Sequence, residues 1–212
     1  MNKWHTKRIN QPQYAIMAEA IKCTVTEMVA INTINYYIDL GCSIGELVKH
    51  MTKWITAAHC YGCDIFDGGE FWKNIDATFL QIDLNAYNNL LTNNFFIAKE
   101  EIKFDLITSF ECAEHLMTHF PLSNMPFFET LNYITKRNSI IFFSAANASQ
   151  KGKGHINNHD SLAWIQAFKN KQWIYLHDWT MMYSFWLGRL SNDNKERVYR
   201  CYRDNCLIFK RW

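Results

Sequence analysis

The feature that most constrains the fold is an apolar segment that ends in an acid and runs into a glycine-containing turn. Residues 36–40 read YYIDL, residues 41–45 read GCSIG, and residues 46–51 have the apolar spacing of a helix. Because glycine lacks a Cβ atom, Gly41 and Gly45 allow a sharp turn and a close approach of a ligand to the backbone. A strand, a glycine turn and a helix in this order are typical of α/β proteins that bind nucleotide-like ligands.

Three other interpretations of this segment compete with a nucleotide-binding turn. The dinucleotide-binding fingerprint G-x-G-x-x-G fails at Ser43, and no third glycine stands in phase. The letters GCSIG also spell the G-x-S-x-G nucleophile elbow. Only residues 1–35 precede it, which is too short for the strands and oxyanion loop of such enzymes. An ordinary strand-to-helix turn stays open from this segment alone.

The rest of the chain alternates between helical and strand-like patterns. Helices are predicted at 13–30, 45–54, 85–94, 111–119, 127–135 and 160–169, and strands at 36–40, 57–65, 77–83, 104–109, 139–145, 173–179 and 206–209. This alternation predicts an α/β fold with a mostly parallel sheet and right-handed crossovers. No ordinary helix pattern separates the last two strands, so we expect the last strand to be antiparallel.

Composition excludes several classes of protein. Hydrophobic residues make up 49% of the 212 residues, which suits one domain with a large core, and the net charge of +2 does not predict nucleic-acid binding. Residues 1–10 are polar and basic, and no apolar segment approaches the roughly 20 residues of a membrane helix, so we expect neither a signal peptide nor a membrane span. Cys60 and Cys63 form an isolated C-x-x-C motif within a predicted strand, where the two thiols would point to opposite faces. We therefore expect reduced thiols and a cytoplasmic location.

Three successive predicted strands end in an acid: Asp39, Asp64 and Asp83. Because the carboxyl ends of parallel strands meet at one edge of a sheet, we expect these carboxylates to line one crevice. The alternative for each aspartate is that it caps the helix that follows.

Four segments in order resemble class I S-adenosylmethionine-dependent methyltransferases. Residues 39–45 resemble the glycine loop, with Ser43 at a glycine position; residues 61–65 resemble the second strand; residues 80–84 resemble the adenine-binding segment. Residues 104–116 resemble the fourth strand and its E-x-x-E-H continuation. The resemblance covers the chain from residue 36 to the C-terminus. It implies a Rossmann-like three-layer sandwich, and we expect a single domain over residues 1–212, in which a helical segment (1–34) precedes the core (35–212).

The resemblance also implies the cofactor S-adenosylmethionine and the residues that hold it. Ribose hydroxyls and the adenine amine are hydrogen-bond donors, so Asp64 and Asp83 suit them as acceptors. The implied cofactor-binding residues are Asp39, Gly41, Cys42, Ser43, Gly45, Asp64, Ile65, Asp83, Leu84, Phe110 and Glu111.

A polar loop after the fifth strand, residues 151–159, contains the letters GHIN. This loop, the W-x-x-x-F pattern of Trp164 and Phe168, and the closing segment 202–209 resemble a subset of these enzymes that acts on glycans or small natural products. An alcohol acceptor must lose its proton, and histidine is the usual base near neutral pH. We rank His155 first, because its loop should overhang the strand ends, and His115 second, because it follows the fourth strand.

A metal site is the alternative for these histidines. Glu111, His115 and His119 are spaced four apart, which would place them on one helix face, and His155 and His159 repeat the spacing. Pro121 makes the first helix short, and we expect no metal.

The function expected from the sequence is O-methylation of a saccharide or another small-molecule hydroxyl. The alternatives are methylation of RNA or protein, and a catalytically idle cofactor-binding subunit that supports a partner. We expect no membrane partner and no nucleic acid. The aromatic and methionine-rich residues 180–190 could be a lid or the contact of a homodimer.

Overall fold

A computed structural model describes residues 10–28, 34–55, 59–86, 102–117, 119–196 and 198–212. The α-helices in these residues are α1 (Pro12–Met28), α2 (Glu46–Met51), α3 (Gly69–Trp72), α4 (Pro126–Ile134), α5 (Ser161–Asn170), α6 (His177–Asp193) and α7 (Arg200–Asp204). The strands are β1 (Tyr36–Leu40), β2 (His59–Asp64), β3 (Thr78–Gln81), β4 (Phe104–Phe110), β5 (Thr135–Ser144), β6 (Trp173–Tyr175) and β7 (Leu207–Arg211).

The strands form one seven-stranded sheet in the order β3-β2-β1-β4-β5-β7-β6. Neighbouring strands from β3 to β5 are parallel, whereas β7 is antiparallel to both β5 and β6. This arrangement confirms the predicted Rossmann-like sandwich and its antiparallel last strand. The strand order reverses between β1 and β4, and such a switch point is where open α/β sheets bind ligands at their carboxyl edge.

Helices cover both faces of the sheet. On one face α1, α2 and α6 bury apolar side chains such as Met17, Leu47 and Tyr183. On the other face α4 and α5 bury a cluster rich in phenylalanine, including Phe127 and Phe168. Strand β2 contributes Cys60 to the first cluster and Cys63 to the second, which confirms that the two thiols point to opposite faces. All seven cysteines are free thiols.

Two predicted elements are wrong. The helix predicted over 111–119 is replaced by a short 3-10 turn at Ala113–His115, since Glu111 takes a left-handed backbone conformation (φ 51°) and Leu116 is extended. The strand predicted over 173–179 ends at Tyr175, and α6 begins two residues later.

The aromatic residues 180–190 belong to α6, which packs against α1. Tyr183 and Leu187 of this helix are buried, whereas Met181 and Phe185 are exposed. Most of the helix predicted over 85–94 lies outside the described residues. Among the described residues, no helix combines the length and the apolar character needed to cross a bilayer.

Candidate functional site

The glycine turn after β1 has the unusual backbone that its sequence predicts. Gly41 and Gly45 have φ values of 79° and 77°, and Ser43 between them has a φ of 53°. Ser43 therefore adopts the left-handed conformation that glycine favours, at a cost of about 1 kcal/mol. The amides of residues 41–42 both donate to the Cys63 carbonyl, at 2.8 and 3.0 Å. The turn is thus attached to the end of the neighbouring strand β2.

The Asp64 carboxylate completes this attachment. Its Oδ2 accepts a hydrogen bond from the Ser43 amide at 2.8 Å, and its Oδ1 accepts one from the Phe66 amide at 3.1 Å. The residue is only 9% exposed. A carboxylate offers about four acceptor positions, so this one has capacity for further donors. The next two side chains, Ile65 and Phe66, are 51% and 59% exposed and place an apolar surface beside it.

The other two aspartates lie at the same edge of the sheet. Asp39 at the end of β1 is buried and accepts a hydrogen bond from the Thr108 hydroxyl on β4 at 2.6 Å. Asp83 follows β3, is half-buried, and accepts from the Asn85 amide at 2.9 Å. Leu84 beside it is buried. All three aspartates thus lie at or just after the carboxyl ends of neighbouring strands. That their carboxylates line one crevice stays a prediction.

Glu111 directly follows β4 and precedes the 3-10 turn at Ala113–His115. Its Oε1 accepts a hydrogen bond from the Ser144 hydroxyl at 2.9 Å, and its Oε2 accepts one from the Gln150 side chain at 3.1 Å. Burial and the Glu111 carboxylate raise the pKa of the Cys201 thiol to about 12. A non-glycine residue in a left-handed conformation that is fixed by several hydrogen bonds is typical of a functional site.

A small cavity of about 30 Å³ lies beside the glycine turn. Its walls include Asp39 and Gly41, and also Tyr14, Met17 and Tyr202, which the sequence analysis did not assign to the site. This volume is enough for about one water molecule and is far smaller than a nucleoside. The missed residues come from α1 and α7, far along the chain from the glycine turn, and no local motif marks them.

His115 and His155, the two candidate catalytic residues, contact each other. Their rings meet edge to face, with 4.9 Å between the centroids. The Nδ1 atom of His115 lies 3.0 Å from the Gly154 carbonyl oxygen, which can only accept a hydrogen bond. Nδ1 of His115 is therefore the protonated nitrogen, and Nε2 carries the lone pair.

The loop of residues 145–160 reaches His115 because its backbone is tied to the 3-10 turn. The amides of Ile156 and Asn157 both donate to the Glu114 carbonyl, at 2.9 and 3.0 Å. The Asn157 side chain also donates to the Ala113 carbonyl at 3.1 Å. The GHIN motif therefore has a structural role: Asn157 attaches the loop to the 3-10 turn, and His155 lies against His115.

One ligand atom each from Glu114, His115 and His155 lies within 4.8 Å of the other two. We call these three residues the His–Glu cluster. The predicted stripe of Glu111, His115 and His119 does not form, because the helix that would align it is absent. His159 is also separate from the cluster, with its Nε2 atom 2.9 Å from the Asn157 side-chain oxygen.

Two cysteines lie where the glycine turn approaches the 3-10 turn. A Cβ atom added to Gly41 would lie 2.4 Å from the Cys112 sulfur, so this close approach requires glycine. Burial raises the pKa of the Cys42 and Cys112 thiols well above the ordinary value, and the neighbouring Asp39 and Asp64 raise it further. Both thiols are therefore protonated near neutral pH and are poor nucleophiles.

The sequence matches the model of a methyltransferase domain family over residues 15–192. No curated protein is a significant match to the chain by sequence. Among solved structures, the plantazolicin methyltransferase BpumL in complex with SAH is 15% identical, with a TM-score of 0.60, and the match covers 98% of this chain and 88% of that one.

Two further structures have the same fold. The O-methyltransferase from a trans-AT PKS multienzyme of Brevibacillus brevis, in complex with S-adenosyl-L-homocysteine, is 12% identical (TM-score 0.56, 91% of this chain, 71% of that one). The 1,6-didemethyltoxoflavin-N1-methyltransferase of Burkholderia thailandensis is 7% identical (TM-score 0.57, 92% and 78%). The family match and the fold together show that this chain belongs to the methyltransferase domain family and is a class I S-adenosylmethionine-dependent methyltransferase.

Proposed function

We propose that the chain transfers a methyl group from S-adenosylmethionine to a hydroxyl group of a saccharide or a similar small molecule. The observation that carries this proposal is the contact between His115 and His155, which lie on the segments that follow the carboxyl ends of β4 and β5. Solved structures of the same fold include an O-methyltransferase and a methyltransferase with bound 1,6-didemethyltoxoflavin, a small molecule. These likenesses favour a small acceptor for this chain as well.

The cofactor end of the site is defined here as the glycine turn and the carboxyl ends of β1, β2 and β3. Its chemistry fits adenosine, because the ribose hydroxyls and the adenine amine are hydrogen-bond donors and the carboxylates at these strand ends are acceptors. In our assignment Asp64 accepts from the ribose and Asp83 from the amine, while Ile65 and Leu84 provide apolar contacts. The residues proposed to hold the cofactor are Asp39, Gly41, Cys42, Ser43, Gly45, Asp64, Ile65, Asp83, Leu84, Phe110 and Glu111.

The acceptor end is defined as the His–Glu cluster and the loop of residues 145–160. The bound cofactor supplies a methyl group on a positive sulfur, and the new oxygen–carbon bond forms as the carbon–sulfur bond breaks. The chain must align the acceptor oxygen in line at about 3 Å and remove its proton. His155 and His115 are the residues that we assign to this proton. The hydrogen bond from His115 Nδ1 to Gly154 keeps the lone pair of that ring on Nε2, where it can accept a proton.

The test uses S-adenosylmethionine with a labelled methyl group and a panel of monosaccharides, catechols and hydroxylated acids. The wild type should label at least one hydroxyl compound. The variants His115→Gln and His155→Gln should lower kcat by about 100-fold to 10,000-fold, as expected for loss of general base catalysis. Their affinity for S-adenosylhomocysteine, measured by calorimetry, should stay within about twofold, because neither ring belongs to the cofactor end.

His59→Gln is the matched control. His59 is an exposed histidine at the amino end of β2, at the opposite edge of the sheet, and its ring stacks on Tyr36. This variant should keep wild-type turnover. Wild-type kcat in both cluster variants would refute the catalytic assignment. Label found only in RNA or in protein would refute the small-molecule acceptor, and cofactor binding without transfer to any of these would indicate an idle subunit.

A further inference from the structure

The His–Glu cluster has the composition of a metal site. Two imidazoles and one carboxylate, with one ligand atom each, lie within 4.8 Å of one another in the described part of the chain. Two histidines and a glutamate are also the protein ligands of catalytic zinc in some hydrolases. Imidazole nitrogen suits divalent transition metals such as Zn²⁺ and Co²⁺, whereas Mg²⁺ and Ca²⁺ prefer sites made of oxygen alone.

The orientation of His115 also suits a metal ligand. Metal-bound histidines almost always donate the other ring N–H to a carbonyl or carboxylate, which fixes the tautomer. His115 makes this bond to the Gly154 carbonyl at 3.0 Å. With this tautomer, Nε2 is the nitrogen of His115 that has the chemistry of a metal ligand.

The other two residues add to this picture. The Nδ1 atom of His155 is buried and has no hydrogen-bond partner among the described residues. A buried polar atom in this situation is costly, and a ligand would remove the cost. Glu114 is 0% exposed, and a carboxylate oxygen is a common ligand of divalent transition metals. The backbone bonds from Ile156 and Asn157 to the Glu114 carbonyl hold the two halves of the cluster together before any cation binds.

We propose that Glu114, His115 and His155 bind one divalent transition-metal cation through a carboxylate oxygen and two imidazole nitrogens. This site differs from the expectation of no metal, and it deepens the proposed function, on which its catalytic role rests. Three protein ligands leave at least one coordination position open, which the acceptor oxygen can occupy.

A bound cation changes how the acceptor loses its proton. Coordination makes a hydroxyl group more acidic, so its proton leaves to solvent and the oxygen stays on the cation as an alkoxide. That oxygen then forms the bond to the methyl carbon while the carbon–sulfur bond breaks. The products are a methyl ether, the demethylated cofactor and one proton in solution. In this state both imidazoles are ligands, whereas without a cation one of them must take the proton itself.

The experiment is a titration of the full chain with Co²⁺ after treatment with a chelator, followed by visible absorption. Wild-type protein should bind one Co²⁺ with a ligand-field spectrum typical of nitrogen and oxygen ligands. His115→Gln and His155→Gln should weaken binding by at least about tenfold, which is the lower range for loss of even an outer partner of a metal site. His59→Gln, with its exposed histidine far from the cluster, should bind like the wild type.

A third variant, Glu114→Gln, tests the carboxylate, and thermal unfolding shows whether this buried residue can be replaced without loss of the fold. Because His115 is exposed, His115→Gln keeps the test decisive in any case. No Co²⁺ spectrum in the wild type, or equal binding by all variants, would overturn the site. Methyl transfer that proceeds in excess chelator would overturn the catalytic role of the cation and leave the proposed function intact. Cation binding without methylation of any hydroxyl would support the site and count against the proposed function.

Discussion

At both the cofactor end and the acceptor end, two consecutive backbone amides donate to one carbonyl oxygen. In the first, the amides of residues 41–42 share the carbonyl of Cys63; in the second, the amides of residues 156–157 share the carbonyl of Glu114. One side chain reinforces each attachment, Asp64 at the cofactor end and Asn157 at the acceptor end. In both places a backbone segment is fixed by hydrogen bonds to a neighbouring segment, the end of β2 at the cofactor end and the 3-10 turn at the acceptor end.

The two ends differ in how much chain separates the joined parts. The bond from Ser43 to Asp64 spans 21 residues and joins adjacent parallel strands. The bonds from His115 to Gly154 and from Asn157 to Ala113 span 39 and 44 residues and join two loops. Formation of the sheet therefore brings the cofactor end together, whereas the acceptor end also requires a loop to dock. We expect the acceptor end to open more easily, since a loop held by a few hydrogen bonds has lower local stability than the strands of a sheet.

The largest effect is expected from Asp64→Ala. The change removes the acceptor of two backbone amides, Ser43 and Phe66, near a buried turn. The Ser43 amide would be left buried without a partner, at a cost of about 1–3 kcal/mol, and the part-buried Phe66 amide would add less. The free energy of unfolding should therefore fall by about 3 kcal/mol. Affinity for S-adenosylhomocysteine should fall by at least about 100-fold, because the turn and the proposed ribose acceptor are lost together. Chemical denaturation and calorimetry measure the two quantities.

Asp67→Asn is the matched control for this change. Asp67 lies in the same connection after β2, but it is exposed and holds only the Gly69 amide. Its replacement should leave cofactor affinity unchanged. If Asp64→Ala kept wild-type affinity for S-adenosylhomocysteine, Asp64 would not hold the cofactor end in place.

The second effect concerns the place where the two ends meet. Gly41→Ala puts a methyl group 2.4 Å from the Cys112 sulfur at a φ of 79°, so both the backbone and the neighbour must move. We expect a loss of about 2 kcal/mol in stability and at least about tenfold in cofactor affinity, since strain and a close contact add.

Gly188→Ala is the control, because that position on α6 has open space around it. There the same change should stabilise the protein by about 0.5–1 kcal/mol. Thermal unfolding measures the change in stability at each position. Equal changes at Gly41 and Gly188 would contradict this account.

The cofactor end could be predicted from the sequence because its residues are local to strand ends. The glycine turn, the three aspartates and the succession of strands along the chain follow from patterns of fewer than ten residues each, and the sheet then brings the strand ends together. The Ser43 departure was visible too, although only the structure shows that the serine takes a left-handed backbone.

The acceptor end was predicted less well, for a physical reason. His115 and His155 were identified as candidates, but their contact depends on how a loop folds back, which no local pattern encodes. Helical spacing suggested a partner set of Glu111 and His119, whereas the left-handed backbone at Glu111 prevents that helix. The buried Glu114 takes their place beside the histidines. Tyr14 on α1 was missed because the helix pattern reports packing and not which end of the helix faces the turn.

The third effect should separate the two ends. Asn157→Ala removes the side-chain bonds to the Ala113 carbonyl and to His159 from a residue that is 1% exposed. Loss of these bonds should cost about 1.5–2 kcal/mol and loosen the loop that carries His155. We expect kcat to fall by about tenfold while affinity for S-adenosylhomocysteine stays the same. Hydrogen exchange of the amides in residues 154–158 should become faster. Asn147→Ala, at an exposed turn of the same loop that holds Ser149, is the control and should change neither quantity. A parallel loss of cofactor affinity in Asn157→Ala would mean that the two ends are not separable.

The smallest effect is the loss of stability at low pH that we expect from His50 on α2, the helix that follows the glycine turn. Burial, with Lys53 and Lys49 nearby, lowers the pKa of His50 on α2 from 6.5 to about 4. Between these two values the unfolded chain binds more protons than the folded one, so stability is lost as the pH falls from 6.5 toward 4. The residue is half-buried, and after allowance for solvent screening we expect a loss of about 1 kcal/mol. His50→Gln should remove this part of the pH dependence, and Lys53→Gln should reduce it by removing a like charge. Denaturation curves at several pH values between 4 and 7.5 measure the slope. An unchanged slope in both variants would show that the helix under the cofactor end does not respond to the protonation of His50.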